Sequence, residues 1–128
     1  MTTTRAHHLR TVTRSTVLVV DDFADFRHAA RRLLEAEGFS VVGEAGDGES
    51  ALRAARELSP DIVLLDIQLP GIDGFEVARR LASEPRAPAI ILTSARDSSN
   101  YRSRLSGAPA QGFIGKSDLS AASIAALL

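Results

Sequence analysis

The chain has 128 residues, 45% of them hydrophobic and 24% charged, with a formal net charge of -1. That balance suits one globular unit with a real core and excludes both wholesale disorder and electrostatic capture of an acidic polymer. Cysteine is absent, so disulfide and thiolate-metal frameworks are excluded as well. No apolar stretch approaches the roughly 20 residues of a membrane span, and the polar start is no secretory signal; a cytoplasmic location is expected.

Residues 1–15, MTTTRAHHLRTVTRS, carry three arginines, two histidines and no acid, without a sustained apolar period. They are expected to form a mobile tail ahead of one domain spanning residues 16–128. Three arginines are too few to argue for nucleic acid, and His7 and His8 have no third ligand nearby.

From Thr16 the pattern becomes regular. VLVV (17–20) is a short apolar run without alternation, the mark of a strand buried on both faces. FADFRHAARRLLEAEG follows with helical spacing: Phe26, Ala29, Ala30, Leu33 and Leu34 share one face, and Gly38 stops the helix. Arg27, Arg31 and Arg32 read as the solvated face. SVVGE (40–44) is a less apolar strand, suited to an edge position. GESALRAAREL is a second helix, with Asp47 as its N-cap and Pro60 beyond its end.

IVLL (62–65) is a third strand and GFEVARRLA a third helix, capped by Asp73. AIIL (89–92), a weaker helix SSNYRSRLS, the strand GFIG (112–115) and a short helix within LSAASIAALL complete the order. Five strand-helix pairs joined by short connections predict an α/β fold. The form expected is a single-domain (βα)5, doubly wound, open parallel five-stranded sheet with right-handed crossovers. A closed barrel of eight such pairs would need about twice the length.

In open α/β sheets, ligands bind outside the carboxyl ends of the strands. Asp21 and Asp22 follow the first apolar run, Asp66 the third, Thr93 and Ser94 the fourth, and Lys116 the fifth. Lys116 is the only lysine, against fourteen arginines. Crowded carboxylates repel, so one is protonated or a cation sits among them. A hard divalent ion such as Mg²⁺ suits all-oxygen ligands, and a metal with an ammonium and a hydroxyl donor is a set that stabilises a phosphoryl group.

Competing motifs are missing. Gly43, Gly46 and Gly48 are spaced G-x-x-G-x-G, which is no dinucleotide fingerprint, and there is no G-x-x-x-x-G-K-[ST]. An aspartyl-phosphate hydrolase is a remote alternative. It usually wants a general acid two residues after its nucleophile, and Gln68 stands there; it also wants a cap over its substrate, and no insertion is long enough.

VLVVDDF, DIQLPGIDG (66–74), ILTSA (91–95) and GFIGK, in that order, resemble the receiver domain of two-component response regulators over about residues 16–128. The resemblance implies a flavodoxin-like receiver fold in which Asp66 is the phosphoacceptor, charged by a phosphohistidine on a sensor histidine kinase or phosphotransfer protein. It implies Mg²⁺ held by Asp21, Asp22, Asp66 and the backbone carbonyl of Gln68. Thr93 would bond the phosphoryl group, Ser94 would be its small neighbour, Lys116 would pair with a phosphoryl oxygen, and Phe113 would be the aromatic that turns inward with Thr93. Pro70, Gly71 and Gly74 would shape the loop and helix start.

Two positions depart from the family pattern: Ser117 stands where proline often follows the lysine, and Phe113 lacks a tyrosine hydroxyl. The implied protein is no enzyme with a separate substrate; it catalyses its own phosphorylation and dephosphorylation and switches a surface for an unidentified output partner, with dimerisation on phosphorylation one outcome. By itself the chain would bind neither nucleic acid nor membrane. Alternatives are a receiver fragment of a DNA-binding transcriptional regulator and a phosphate-free docking module.

Overall fold

The computed structural model describes residues 15–96 and 98–128. Along them run β1 (Thr16–Val20), α1 (Ala24–Ala36), β2 (Ser40–Ala45), α2 (Gly48–Leu58) and β3 (Ile62–Asp66). Then come α3 (Gly74–Ala82), β4 (Ala89–Ser94), α4 (Arg102–Ser106), β5 (Gly112–Gly115) and α5 (Ala121–Ala125). The tail expected at residues 1–15 lies almost wholly outside the described residues.

The strands form one parallel sheet in the order β2-β1-β3-β4-β5, so SVVGE does lie at an edge. Unbroken apolar runs are explained by helices on both faces. Leu18, Val20, Val63, Leu65, Ile90 and Leu92 face α2 and α3, packing with Leu52, Val77 and Leu81. The alternate residues Val17, Val19, Ile62, Leu64 and Ile91 pack with Ala30 and Leu34 of α1 and Ile124 of α5. Each such aliphatic side chain, once buried, contributes about 1.5–3 kcal/mol before entropy is charged against it, and two dry layers hold the strands at fixed heights.

The helix signals operate as their chemistry requires. Asp47 accepts a hydrogen bond from the Ser50 amide at 2.8 Å, and Asp73 accepts one from the Glu76 amide at 2.9 Å, so both cap as expected. Gly38 adopts φ 103°, where the Phe39 amide can turn back to the Leu34 carbonyl.

Three expectations need correction. Ala29 is exposed: the buried stripe of α1 is narrower than its apolar spacing suggests, running through Ala30 and Leu34 with Phe26 and Leu33 at its margin. SSNYRSRLS is no continuous helix; Ser98–Tyr101 make a 3₁₀ turn and only five residues form α4, because the stretch offers few apolar side chains to seat a longer one. Arg27 and Arg31 are not simply solvated, since both reach Glu44 on β2; Arg32 alone fits that description.

Candidate functional site

Parallel pairing aligns the carboxyl ends of the three central strands. Val20 is in register with Leu65, and Asp66 with Thr93, so the residues that follow β1 and those that end β3 and β4 meet at one edge. Asp21 is fully buried, Asp66 is nearly so, and Asp22 is exposed. One carboxylate oxygen from each of the three lies within 4.8 Å of the other two. Lys116 arrives from the 3₁₀ turn after β5, with Nζ 2.6 Å from Asp21 Oδ2 and 3.6 Å from Asp66 Oδ2.

The backbone holds these groups as firmly as the side chains do. The Asp21 amide donates to the Ala45 carbonyl at 3.0 Å, and Asp21 Oδ1 accepts from the Phe23 amide at 2.9 Å. Asp66 Oδ1 accepts from the Gln68 amide at 3.3 Å. The Ile67 amide donates to the Thr93 carbonyl at 2.9 Å. The Gly74 amide bonds the Ile67 carbonyl at 2.8 Å, which brings the start of α3 against the acidic loop. A side chain at Gly74 would collide with the Asp66 carbonyl and with Ile67 Cα, so glycine there serves close approach of two backbone segments. Gly71 takes φ 77° in the same loop, and Pro70 is exposed beside it.

Burial pushes the Asp66 carboxyl up to about 6; the Asp21 carboxylate adds to the rise, while the Lys116 ammonium and the Gln68 amide oppose it. Three carboxylates against one ammonium leave a net negative, all-oxygen cluster. That donor set fits a hard divalent cation such as Mg²⁺, which takes few carboxylates and keeps several waters.

Thr93 and Ser94 are both buried. Ser94 Oγ accepts from the Arg96 amide at 3.0 Å, whereas among the described residues Thr93 Oγ1 has no hydrogen-bond partner. Phe113 is half-buried, packed against the cluster on the α2–α3 face, and borders an open cleft with Ser94, Lys116 and Asp118.

Sequence reasoning missed three contacts. Lys116 Nζ lies 4.7 Å from the centre of the Phe26 ring, within cation-π range, although Phe26 looked like a core residue alone. Arg27 Nη1 donates to the Asp21 carbonyl at 2.7 Å while its Nε donates to Glu44 Oε1 at 3.1 Å. Glu44 lies on β2 beside β1, and the pairing of those two strands brings it to Arg27. Burial raises the Glu44 carboxyl, but hydrogen bonds from Arg31 and Arg27 outweigh it and hold the group below its ordinary range.

A five-stranded sheet in the order 2-1-3-4-5, with an acidic trio and a lysine at its carboxyl edge, defines the flavodoxin-like receiver class. The chain belongs to the response regulator receiver domain family, whose model matches residues 17–126. It is 42% identical over 102 residues to the response regulator GacA of Pseudomonas aeruginosa, covering 78% of this chain and 47% of that protein. It is 51% identical over 79 residues to protein-glutamate methylesterase/protein-glutamine glutaminase 5 of Myxococcus xanthus, covering 61% of this chain and 23% of that one.

A crystal structure of a LuxR-family two-component response regulator from Aurantimonas sp. SI85-9A1 superposes with TM-score 0.75 at 35% identity, covering 81% of this chain and 75% of that one. The chain spans about half the length, or less, of the curated relatives it matches. No helix among the described residues is long and apolar enough to cross a membrane.

Proposed function

We propose that Asp66 accepts a phosphoryl group from a phosphohistidine on a sensor histidine kinase or phosphotransfer protein, and that the modification switches a partner-binding surface. The observation that carries this reading is the buried Asp66 carboxylate, 3.6 Å from Lys116 Nζ and inside an acidic cluster. A carboxylate oxygen of Asp66 attacks phosphorus; the new O–P bond forms as the P–N bond to the donor imidazole breaks, and that imidazole leaves with the electron pair. Asp21, Asp22, Asp66 and the Gln68 carbonyl would hold Mg²⁺, which when bound supplies countercharge to the transferring oxygens. Lys116 neutralises one phosphoryl oxygen as a point charge. The buried Thr93 hydroxyl donates to another, which suits a group with no partner of its own. Phe113 follows Thr93 inward, so that a local charge change biases a loop and a ring with two arrangements.

Incubation with a small phosphodonor and Mg²⁺, followed by intact mass measurement, tests the reading. One added phosphate is expected on the wild type and none on Asp66→Asn. Equal labelling of both would overturn the assignment of Asp66, and no labelling of either would favour the phosphate-free docking module.

A second reading concerns the whole protein. The relatives include response regulators and transcription regulators of about twice the matched length, which supports a receiver that controls a DNA-binding output. A size measurement before and after phosphorylation tests whether dimerisation carries that output.

A further inference from the structure

The Asp21–Asp22 peptide carries two of the three acidic side chains, and it is held from outside the cluster. Asp21 is pinned at its amide by Ala45 and at its carbonyl by Arg27 Nη1. Arg27 is itself anchored: its Nε bonds Glu44 Oε1, and Glu44 Oε2 is held at 2.8 Å by Arg31 Nε. Arg31 in turn bonds the Val41 carbonyl at 3.0 Å. Arg27 and Glu44 are each about four-fifths buried, at 20% and 19% side-chain exposure, so this is a braced junction between α1 and β2. The carbonyl that Arg27 holds belongs to the peptide whose nitrogen is that of Asp22. Asp22 is exposed, and the direction of its side chain follows the plane of that peptide.

We propose that Arg27 is a positioning residue for the metal site: it fixes the Asp21–Asp22 peptide so that Asp22 meets a divalent cation together with Asp21 and Asp66, while touching neither metal nor phosphoryl group. The inference rests on the reading of the acidic cluster as a Mg²⁺ site. Its physical content is a sign. A guanidinium beside three carboxylates repels a cation, so on Coulombic grounds alone its removal would tighten metal binding. If Arg27 works by positioning, removal weakens it, because groups that orient ligands from outside are worth about 10- to 100-fold in metal affinity. The planar fork is needed to span a carboxylate and a carbonyl at once, which an ammonium does poorly.

Calorimetric titration with Mg²⁺ alone, paired with amide exchange of the metal-free protein, tests the proposal on Arg27→Ala, Arg27→Lys and Arg32→Ala. Arg27→Ala is expected to bind Mg²⁺ about tenfold more weakly, and the Phe23 amide, which bonds Asp21 Oδ1, is expected to exchange faster. Arg27→Lys keeps the charge and is expected to fall between Arg27→Ala and wild type. It also serves if the alanine variant does not fold. Arg32→Ala removes the same charge from the exposed side of α1, and is expected to stay within about twofold of wild type in screened solution.

Unchanged or tighter binding by Arg27→Ala would overturn the proposal. So would weaker binding with Phe23 exchange unaltered, since the loop would not have moved. A wild-type protein that bound no Mg²⁺ would overturn the reading of the cluster itself, and this inference with it.

Discussion

Lys116 Nζ lies 2.6 Å from Asp21 Oδ2, and the carboxylate it meets is fully buried. A compact ammonium on a flexible stem therefore rests between Asp21 and Asp66, with the Phe26 ring against it. In this resting arrangement the lysine is shared, and its nearer partner is Asp21.

Removing that partner leaves a buried charge without its counterion. Lys116→Ala is expected to cost about 3 kcal/mol in urea unfolding without metal, the scale of breaking a buried pair from one side. Lys116→Arg keeps the charge, but a broad fork fits poorly between Asp21 and Phe26; phosphorylation-dependent partner binding or dimerisation is expected to fall. A Lys116→Arg variant with an unaltered response would show that any cation suffices there.

Asp66 gives the metal-free protein a pH dependence whose sign is fixed. Its folded value of about 6 stands above the ordinary 3.8, so folding favours the protonated acid. The stabilising effect is full below about 4 and is lost as pH rises through about 6, amounting to about 3 kcal/mol across that interval. Denaturation at a series of pH values should show this fall, Asp66→Asn should abolish it, and saturating Mg²⁺ should flatten it. A metal-free stability that rises from pH 4 to pH 7 as steeply in wild type as in Asp66→Asn would count against a destabilised carboxylate.

Gly74 offers a steric test. A methyl group there meets the backbone of Asp66 and Ile67, which a flexible side chain could evade and a peptide cannot. Gly74→Ala is expected to cost about 1–3 kcal/mol of stability and to slow phosphorylation, because relief comes only by moving the loop that carries Asp66. Equal stability and equal labelling would mean that α3 shifts instead.

Thr93 separates stability from signalling. Its hydroxyl is buried and, among the described residues, unpartnered, and an unpaired buried hydroxyl costs about 1–3 kcal/mol. Thr93→Val is expected to melt at a higher temperature than wild type and still to accept phosphate on Asp66. It should fail to transmit the change to a partner. Lower stability of Thr93→Val would show that the hydroxyl is satisfied in the free protein.

Much of this was legible in the sequence because parallel sheets write themselves plainly. A strand dry on both faces must be apolar throughout, so the reactive residues stand out at its end: Asp21 and Asp22 after VLVV, Asp66 after IVLL, Thr93 after AIIL. The brace at Arg27 was illegible for the opposite reason. Spacing along α1 shows which residues share a face, yet Glu44 is brought to Arg27 by the pairing of β1 with β2, a relationship outside any one helix. Ala29 misled because an alanine at the margin of an apolar stripe adds little area to bury, and α4 because its 3₁₀ entry carries no periodic signal.

The last helix shows what its seat implies. With five residues, α5 is far below the length at which an isolated helix persists in water. Its Ser120 and Ser123 bond each other reciprocally, and the Ala121 amide donates to Glu37 Oε1, 84 residues earlier, at 2.9 Å. Ile124 is buried against the α1 side of the sheet. The order of α5 is thus conditional on α1, and an event that lifts these five residues from α1 returns them to coil. Disorder is then a second state open to α5, reached by unseating five residues rather than by rotating a rigid rod.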